Sequence, residues 1–213
     1  IETDAGITGF ATAARGVVLK DYVERRFRAE MIGQDALMRE HLWERVWELD
    51  RIERFPPNIT HVIDVALWDI AGKVANLPIH QLLGSYRDHV PAYISSAVLS
   101  SPQAYADEAQ HYKALNLAAY KIHPPQVWRD DIKVCEAVRK AVGDNYVLML
   151  DSVWSYDYPA ALRVGKVIED LDFYWYEDPL ADADIYNYVE LKKHLRIPIM
   201  TPEYPAGGLD SYA

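Results

Sequence analysis

From residue 91 onward, apolar and polar positions alternate between two rhythms. Short apolar runs (AYISSAV, LAAYKIH, YVLMLD, FYWYE and IPIMT) predict five strands. The segments between them carry apolar residues at helical spacing and predict helices over about 102–115, 130–142, 159–170 and 184–195. Strand and helix in strict alternation predict an α/β fold with a parallel sheet, either a (β/α) barrel or an open doubly wound sheet. No glycine-rich phosphate-binding turn follows the first strand, which disfavours the dinucleotide-binding sheet. The reading is therefore the first five strands of a (β/α) TIM-type barrel. Closing eight strands would need three more, and five alone leave an open edge.

The pattern before residue 91 is different. Residues 1–12 predict a strand, a turn at Asp4-Ala5-Gly6 and a second strand. Residues 15–55 predict helix with its charges on one side, and Pro56-Pro57 breaks it. Asn58 is placed to cap the next helix, ITHVIDVALWDIAGKVANL, in which Ile59, Val62, Ile63, Ala66, Ile70 and Val74 form an apolar face. Gly72 costs that helix about 1 kcal/mol relative to Ala, which points to close packing there. The organisation expected is part of an α+β domain over 1–88 and half of a barrel over 89–213. The opening IETDAGITGF lacks a Met and resembles the middle of a hairpin, and GGLDSYA ends as abruptly, so residues are expected to be missing at both ends.

Composition narrows the class. Half of the 213 residues are hydrophobic and 25% are charged, enough to bury a substantial core. The net charge of −10 has the wrong sign for non-specific binding to nucleic-acid phosphates, and no basic patch offsets it. The single cysteine, Cys135, lies in the apolar pattern of a helix (IKVCEAV) and reads as a packing thiol. Without a signal peptide or long apolar span, no membrane association is expected and the cytoplasm is the default location.

Three strand ends carry acids in register: Asp151 ends YVLMLD, Glu177 ends FYWYE and Glu203 follows IPIMTP. Each gap is 26 residues, one strand–helix unit. Neighbouring strands of a parallel barrel point their C-terminal ends into one mouth, where three carboxylates repel one another unless a cation holds them. An all-oxygen, all-carboxylate donor set favours Mg²⁺ over Zn²⁺ or Fe. The preceding strand ends Tyr120-Lys121-Ile122-His123, and alternation places Lys121 and His123 on one side with Ile122 on the other. A His kept neutral near pH 7 beside a metallated carboxylate cluster can act as a general base.

ALWDIAGK at 66–73, LLG at 82–84, YKIH, LMLD, YWYEDPL and PIMTPE, in that order, resemble the mandelate racemase and muconate lactonizing enzyme branch of the enolase superfamily. That superfamily is known for a Lys or His base working with Mg²⁺ on an ene-diolate. The resemblance implies Asp151, Glu177 and Glu203 as metal ligands and His123 as base, with Lys121 tuning it and touching the substrate carboxylate. It also implies assembly into a homo-oligomer. Asp178 reads as a residue that orients its loop, and Trp154 and Tyr156 as candidates for the pocket wall. Two departures stand out: His123 replaces the usual Lys of a Lys-x-Lys pair, and Val153 stands where many relatives have Asn.

The function implied is Mg²⁺-dependent removal of the proton alpha to a carboxylate. Dehydration of a sugar acid through an enediolate ranks first, and racemisation or epimerisation of a small-molecule carboxylate second. A non-catalytic fragment or binding scaffold is the alternative from another class, favoured by the incomplete barrel.

Overall fold

Asp4, Ala5 and Gly6 (φ 76°) turn the chain so that Glu2 and Thr8 form one antiparallel bridge, where two strands were expected. The computed structural model describes residues 1–13, 16–55 and 60–203, in two units, Ile1–His89 and Val90–Ala213. In the first unit α1 (Gly16–Tyr22) continues through a π-helical turn, Val23–Phe27, into α2 (Arg28–Met31). Helix α3 covers Arg39–Glu53, α4 covers His61–Ala75 and α5 covers Ile79–Leu82.

The helical pattern expected over about 15–55 is broken between α2 and α3. Ile32 turns extended (ψ 129°), Gly33 takes φ 77°, and the Asp35 carboxylate accepts the Leu37 N–H at 2.9 Å. A glycine at positive φ and a local side-chain acceptor offer the backbone an alternative to helix. Leu42 and Val46 of α3 meet Val62, Ile63, Leu67 and Ile70 of α4 around Phe27 and Phe55. Phe55 receives Tyr22 and Phe27 edge-on, at 4.9 and 5.1 Å between ring centroids.

Val62, Ile63, Ala66 and Ile70 are buried on α4 as expected, but Val74 is exposed and Leu67 takes its share of the core. Asn58, Ile59 and Pro56-Pro57 lie outside the described residues. A Cβ on Gly72 would stand 3.1 Å from the Leu77 carbonyl, and the Gly72 carbonyl accepts the Leu77 N–H at 3.0 Å. Close approach at the helix end is thus the reason for this glycine.

In the second unit, strands β1 (Ile94–Ser95), β2 (Ala119–Ile122), β3 (Val147–Asp151), β4 (Trp175–Glu177) and β5 (Ile199–Met200) are parallel and adjacent in chain order. Helices α6 (Pro102–Ala114), α7 (Trp128–Val142), α8 (Tyr158–Asp170) and α9 (Ile185–His194) connect them. Strand order that never reverses is that of a (β/α) barrel, whereas a doubly wound sheet contains a switch point. Ser101, Asp157 and Asp184 cap α6, α8 and α9 by accepting backbone N–H groups three residues on.

Alternation divides the sheet into two faces. Tyr120, Ile122, Leu148, Leu150 and Tyr176 enter the helix-side core with Val134, Cys135, Val138, Val164 and Ile168. Cys135 is fully buried there, and burial pushes its thiol well above the ordinary cysteine value, away from the reactive thiolate, as a packing thiol requires. Lys121, Met149, Asp151, Trp175 and Glu177 occupy the positions that face the other way.

Candidate active site

Register brings the chemistry together. Asp151 and Glu177 are paired across β3 and β4, and Lys121 pairs with Met149, two residues before Asp151. The Lys121 ammonium donates to Asp151 Oδ2 and to both Glu177 oxygens, at 3.0 Å in each case. Lys121, Asp151 and Glu177 are all buried. Asp151 Oδ1 accepts the Val153 N–H at 3.2 Å, and Glu177 Oε2 accepts the Trp175 indole N–H at 2.9 Å.

His123 closes the group at the end of β2. Its Nε2 lies 2.9 Å from Asp151 Oδ2, and its Nδ1 is 2.7 Å from the Ser96 carbonyl. A carbonyl only accepts, so Nδ1 carries a proton and Nε2 is the nitrogen that exchanges one. The Ser96 hydroxyl accepts the His123 N–H at 2.9 Å, and the His123 carbonyl accepts from the Tyr105 hydroxyl at 2.7 Å. Tyr105 itself is fully buried on α6. The imidazole therefore stands on a strand end fixed from both sides.

The electrostatics follow from one ammonium shared between two carboxylates. Burial alone would lower the Lys121 pKa, but the hydrogen bonds to Glu177 and Asp151 hold it above the ordinary lysine value. Burial pushes Asp151 up, and the contacts with His123 and Lys121 outweigh it, leaving the carboxyl below the usual range. Glu177 goes the other way: burial, joined by the Asp151 charge, exceeds what Lys121 and Trp175 return. The Asp151 hydrogen bond raises His123 above the ordinary imidazole value against the pull of burial. The cluster attracts positive charge.

Four of the five site residues expected from sequence meet here. Glu203 is exposed and does not join them: among the described residues, no three His, Cys, Asp or Glu side chains converge as metal ligands. Its backbone N–H is held by Asp178 Oδ2 at 3.0 Å, so Asp178 does orient a loop. Tyr156 packs into the helix-side core, away from the face of Lys121, Asp151 and Glu177, and donates to Asp131 Oδ2 at 2.5 Å. Trp154 is 38% exposed at φ 59°. Trp175 was missed, although it sits two residues before Glu177 and alternation alone puts both on one face. Ser96 and Tyr105 hold the His123 backbone with their hydroxyls, and such contacts leave no spacing to read.

Residues 1–84 match the family model described as the mandelate racemase / muconate lactonizing enzyme N-terminal domain, and residues 104–209 match the enolase C-terminal domain-like model. The chain belongs to the mandelate racemase/muconate lactonizing enzyme family. It is 35% identical over 145 residues to the L-talarate/galactarate dehydratase of Salmonella typhimurium, covering 66% of this chain and 36% of that protein. It is 27% identical over 209 residues to the arabinonate dehydratase of Saccharolobus solfataricus, covering 93% and 56%. Among solved structures, D-glucarate dehydratase from Agrobacterium tumefaciens, complexed with magnesium, aligns at TM-score 0.85 and 32% identity over 97% of this chain and 58% of that one.

A second family member, from Paracoccus denitrificans and also complexed with magnesium, aligns at TM-score 0.86 and 26% identity, over 99% and 61%. The chain thus spans about half the length of these mandelate racemase/muconate lactonizing enzyme relatives. Its fold is that expected from the sequence: α/β, five strands of a (β/α) TIM-type barrel preceded by part of an α+β capping domain. Among the described residues, no helix is long and apolar enough to cross a membrane.

Proposed function

We propose that this chain carries the proton-abstracting side of a Mg²⁺-dependent acid-sugar dehydratase. The observation that supports it most is the convergence of Lys121, His123, Asp151 and Glu177 at three adjacent strand ends. The donor chemistry fits a hard cation. Asp151 and Glu177 offer only oxygen, and they share one cation position, the one the Lys121 ammonium fills. Asp151 and Glu177 would hold the metal, with Glu203 as the third acid. When bound, Mg²⁺ supplies positive charge beside the substrate carboxylate, where negative charge grows as the alpha proton leaves.

The remaining work falls to residues of this chain. Lys121 binds and orients the substrate carboxylate with its ammonium. His123 keeps Nδ1–H on the Ser96 carbonyl, and its Nε2, once free of a proton, takes the one alpha to the carboxylate. The C–H electron pair moves into the carboxylate to give the enediolate, then returns to form the alpha–beta C=C bond as the bond to the beta hydroxyl breaks. Protonation releases that hydroxyl as water, and the enol left behind tautomerises to a 2-keto-3-deoxy acid. Racemisation or epimerisation ranks second, because it needs a base on each face and the described residues place one imidazole at this cluster. A cytoplasmic setting fits the lone buried thiol.

Calorimetric titration with Mg²⁺, with Asp151→Asn as control, tests the metal site. A panel of sugar acids assayed for 2-keto-3-deoxy products tests the reaction. Saturable Mg²⁺ binding that needs Asp151, with product formation that needs His123, supports the reading. Exchange of the alpha proton without dehydration would move it to the epimerase. No Mg²⁺ binding at all would leave a scaffold.

A further inference from the structure

Asp178 is buried between Glu177 and Pro179, with φ 39°, and reaches both neighbouring strand ends. Its N–H donates to the Met200 carbonyl at 3.0 Å, and its carbonyl accepts the Trp154 N–H at 2.7 Å. Its carboxylate Oδ2 accepts the Glu203 N–H at 3.0 Å. One residue thereby ties together the loop after Asp151, the end of β4 and the approach to Glu203. The first two ties use backbone atoms, which any residue supplies. The third uses the side chain and needs an acceptor of that length. Asp and Asn both provide one, and both tolerate a left-handed backbone.

We infer that Asp178 is the positioning residue for Glu203, fixing its backbone so that the Glu203 carboxylate is delivered to the cluster of Asp151 and Glu177. Glu203 does not share the Lys121 ammonium that draws those two carboxylates together. The Asp178 carboxylate is what anchors it to the β4 end. Delivery to a metal rests on the proposed function; the anchoring of Glu203 does not.

Amide hydrogen exchange on the full chain, comparing wild type with Asp178→Ala and Asp178→Asn, separates the two. In Asp178→Ala the Glu203 amide should exchange about tenfold faster or more, while the Trp154 amide, held by a backbone carbonyl, keeps its protection. Asp178→Asn should restore Glu203 protection. If Asp178→Ala fails to fold, the Asn variant and wild type still decide it, because Asn restores the acceptor without the charge. Unchanged Glu203 protection in Asp178→Ala, or lost protection in a folded Asp178→Asn, overturns the inference. Mg²⁺ calorimetry on the same samples should show binding weakened about 10- to 100-fold by Ala and near wild type with Asn. Wild type that protects Glu203 through Asp178 yet binds no Mg²⁺ would sink the proposed function and leave the anchoring intact.

Discussion

The Tyr156 hydroxyl donates to Asp131 Oδ2 at 2.5 Å, and both residues are buried. The bond fastens the loop that follows Asp151 to the first turn of the helix that follows His123. Asp131 Oδ1 meanwhile accepts the Val127 N–H at 3.2 Å. Removing the phenol oxygen leaves a buried carboxylate with one donor fewer, a loss of about 1–3 kcal/mol. Tyr156→Phe should therefore unfold at lower urea with an unchanged slope, and an unchanged midpoint would remove the tie from the account.

Asp131 also gives a pH signature. Burial, the largest effect on it, pushes its carboxyl above the ordinary carboxylate range, and the bonds from Tyr156 and Val127 return only part. The native state therefore holds this proton at pH values where the unfolded chain has lost it. Stability from Asp131 is then greatest below the unfolded pKa and falls as pH rises through the folded one. Asp131→Asn lacks that titration. Wild type should gain on Asp131→Asn as pH is lowered from 7 towards 4 in urea titrations. A gain in the opposite direction would mean the carboxylate is better paired than its surroundings indicate.

Gly9 tests the first unit. A Cβ there would run into the Ala66 carbonyl oxygen and stand 2.7 Å from Ile70 Cγ1, and a backbone carbonyl inside α4 has nowhere to go. Gly9→Ala should cost about 1–3 kcal/mol in chemical denaturation. A neutral result would show that residues near Gly9 can move away from α4.

Much of this was readable because period and chemistry coincide. The strand ends at Asp151 and Glu177 were visible since each acid closes an apolar run, and β3 and β4 end on those residues. Lys121 and His123 share a face because strand alternation allows nothing else. Glu203 was readable as a strand-end acid, but its backbone partner Asp178 lies 25 residues away, and sequence spacing carries no hydrogen bonds. The break at Ile32–Met38 was hidden because its neighbours keep helical periodicity, so one glycine at φ 77° decided it. Tyr156 looked like a rim aromatic for a similar reason: its partner Asp131 comes from another strand–helix unit.

Val153 carries strain that can be measured. It adopts φ 48° with a β-branched side chain, a conformation that costs of order 1–3 kcal/mol, while its N–H holds Asp151 Oδ1. Asn accepts that backbone readily and leaves the N–H in place. Val153→Asn should stabilise the protein by about 1 kcal/mol in urea titrations. A destabilised variant would show that the Val153 side chain contributes more packing than its half-exposed position indicates.

Lys121 joins stability to function. Replacing it with Met leaves the buried carboxylates of Asp151 and Glu177 side by side without their shared cation, with His123 reaching only Asp151. Breaking a buried ion pair by removing one partner costs about 3–5 kcal/mol. Lys121→Met should accordingly melt well below wild type without divalent cations. If Asp151 and Glu177 are metal ligands, Mg²⁺ replaces the lost charge, and the same Mg²⁺ concentration should raise the melting temperature of Lys121→Met more than that of wild type. Equal shifts in the two proteins would mean that Mg²⁺ does not sit between these carboxylates, and the ammonium would then be the only cation this pair was built to hold.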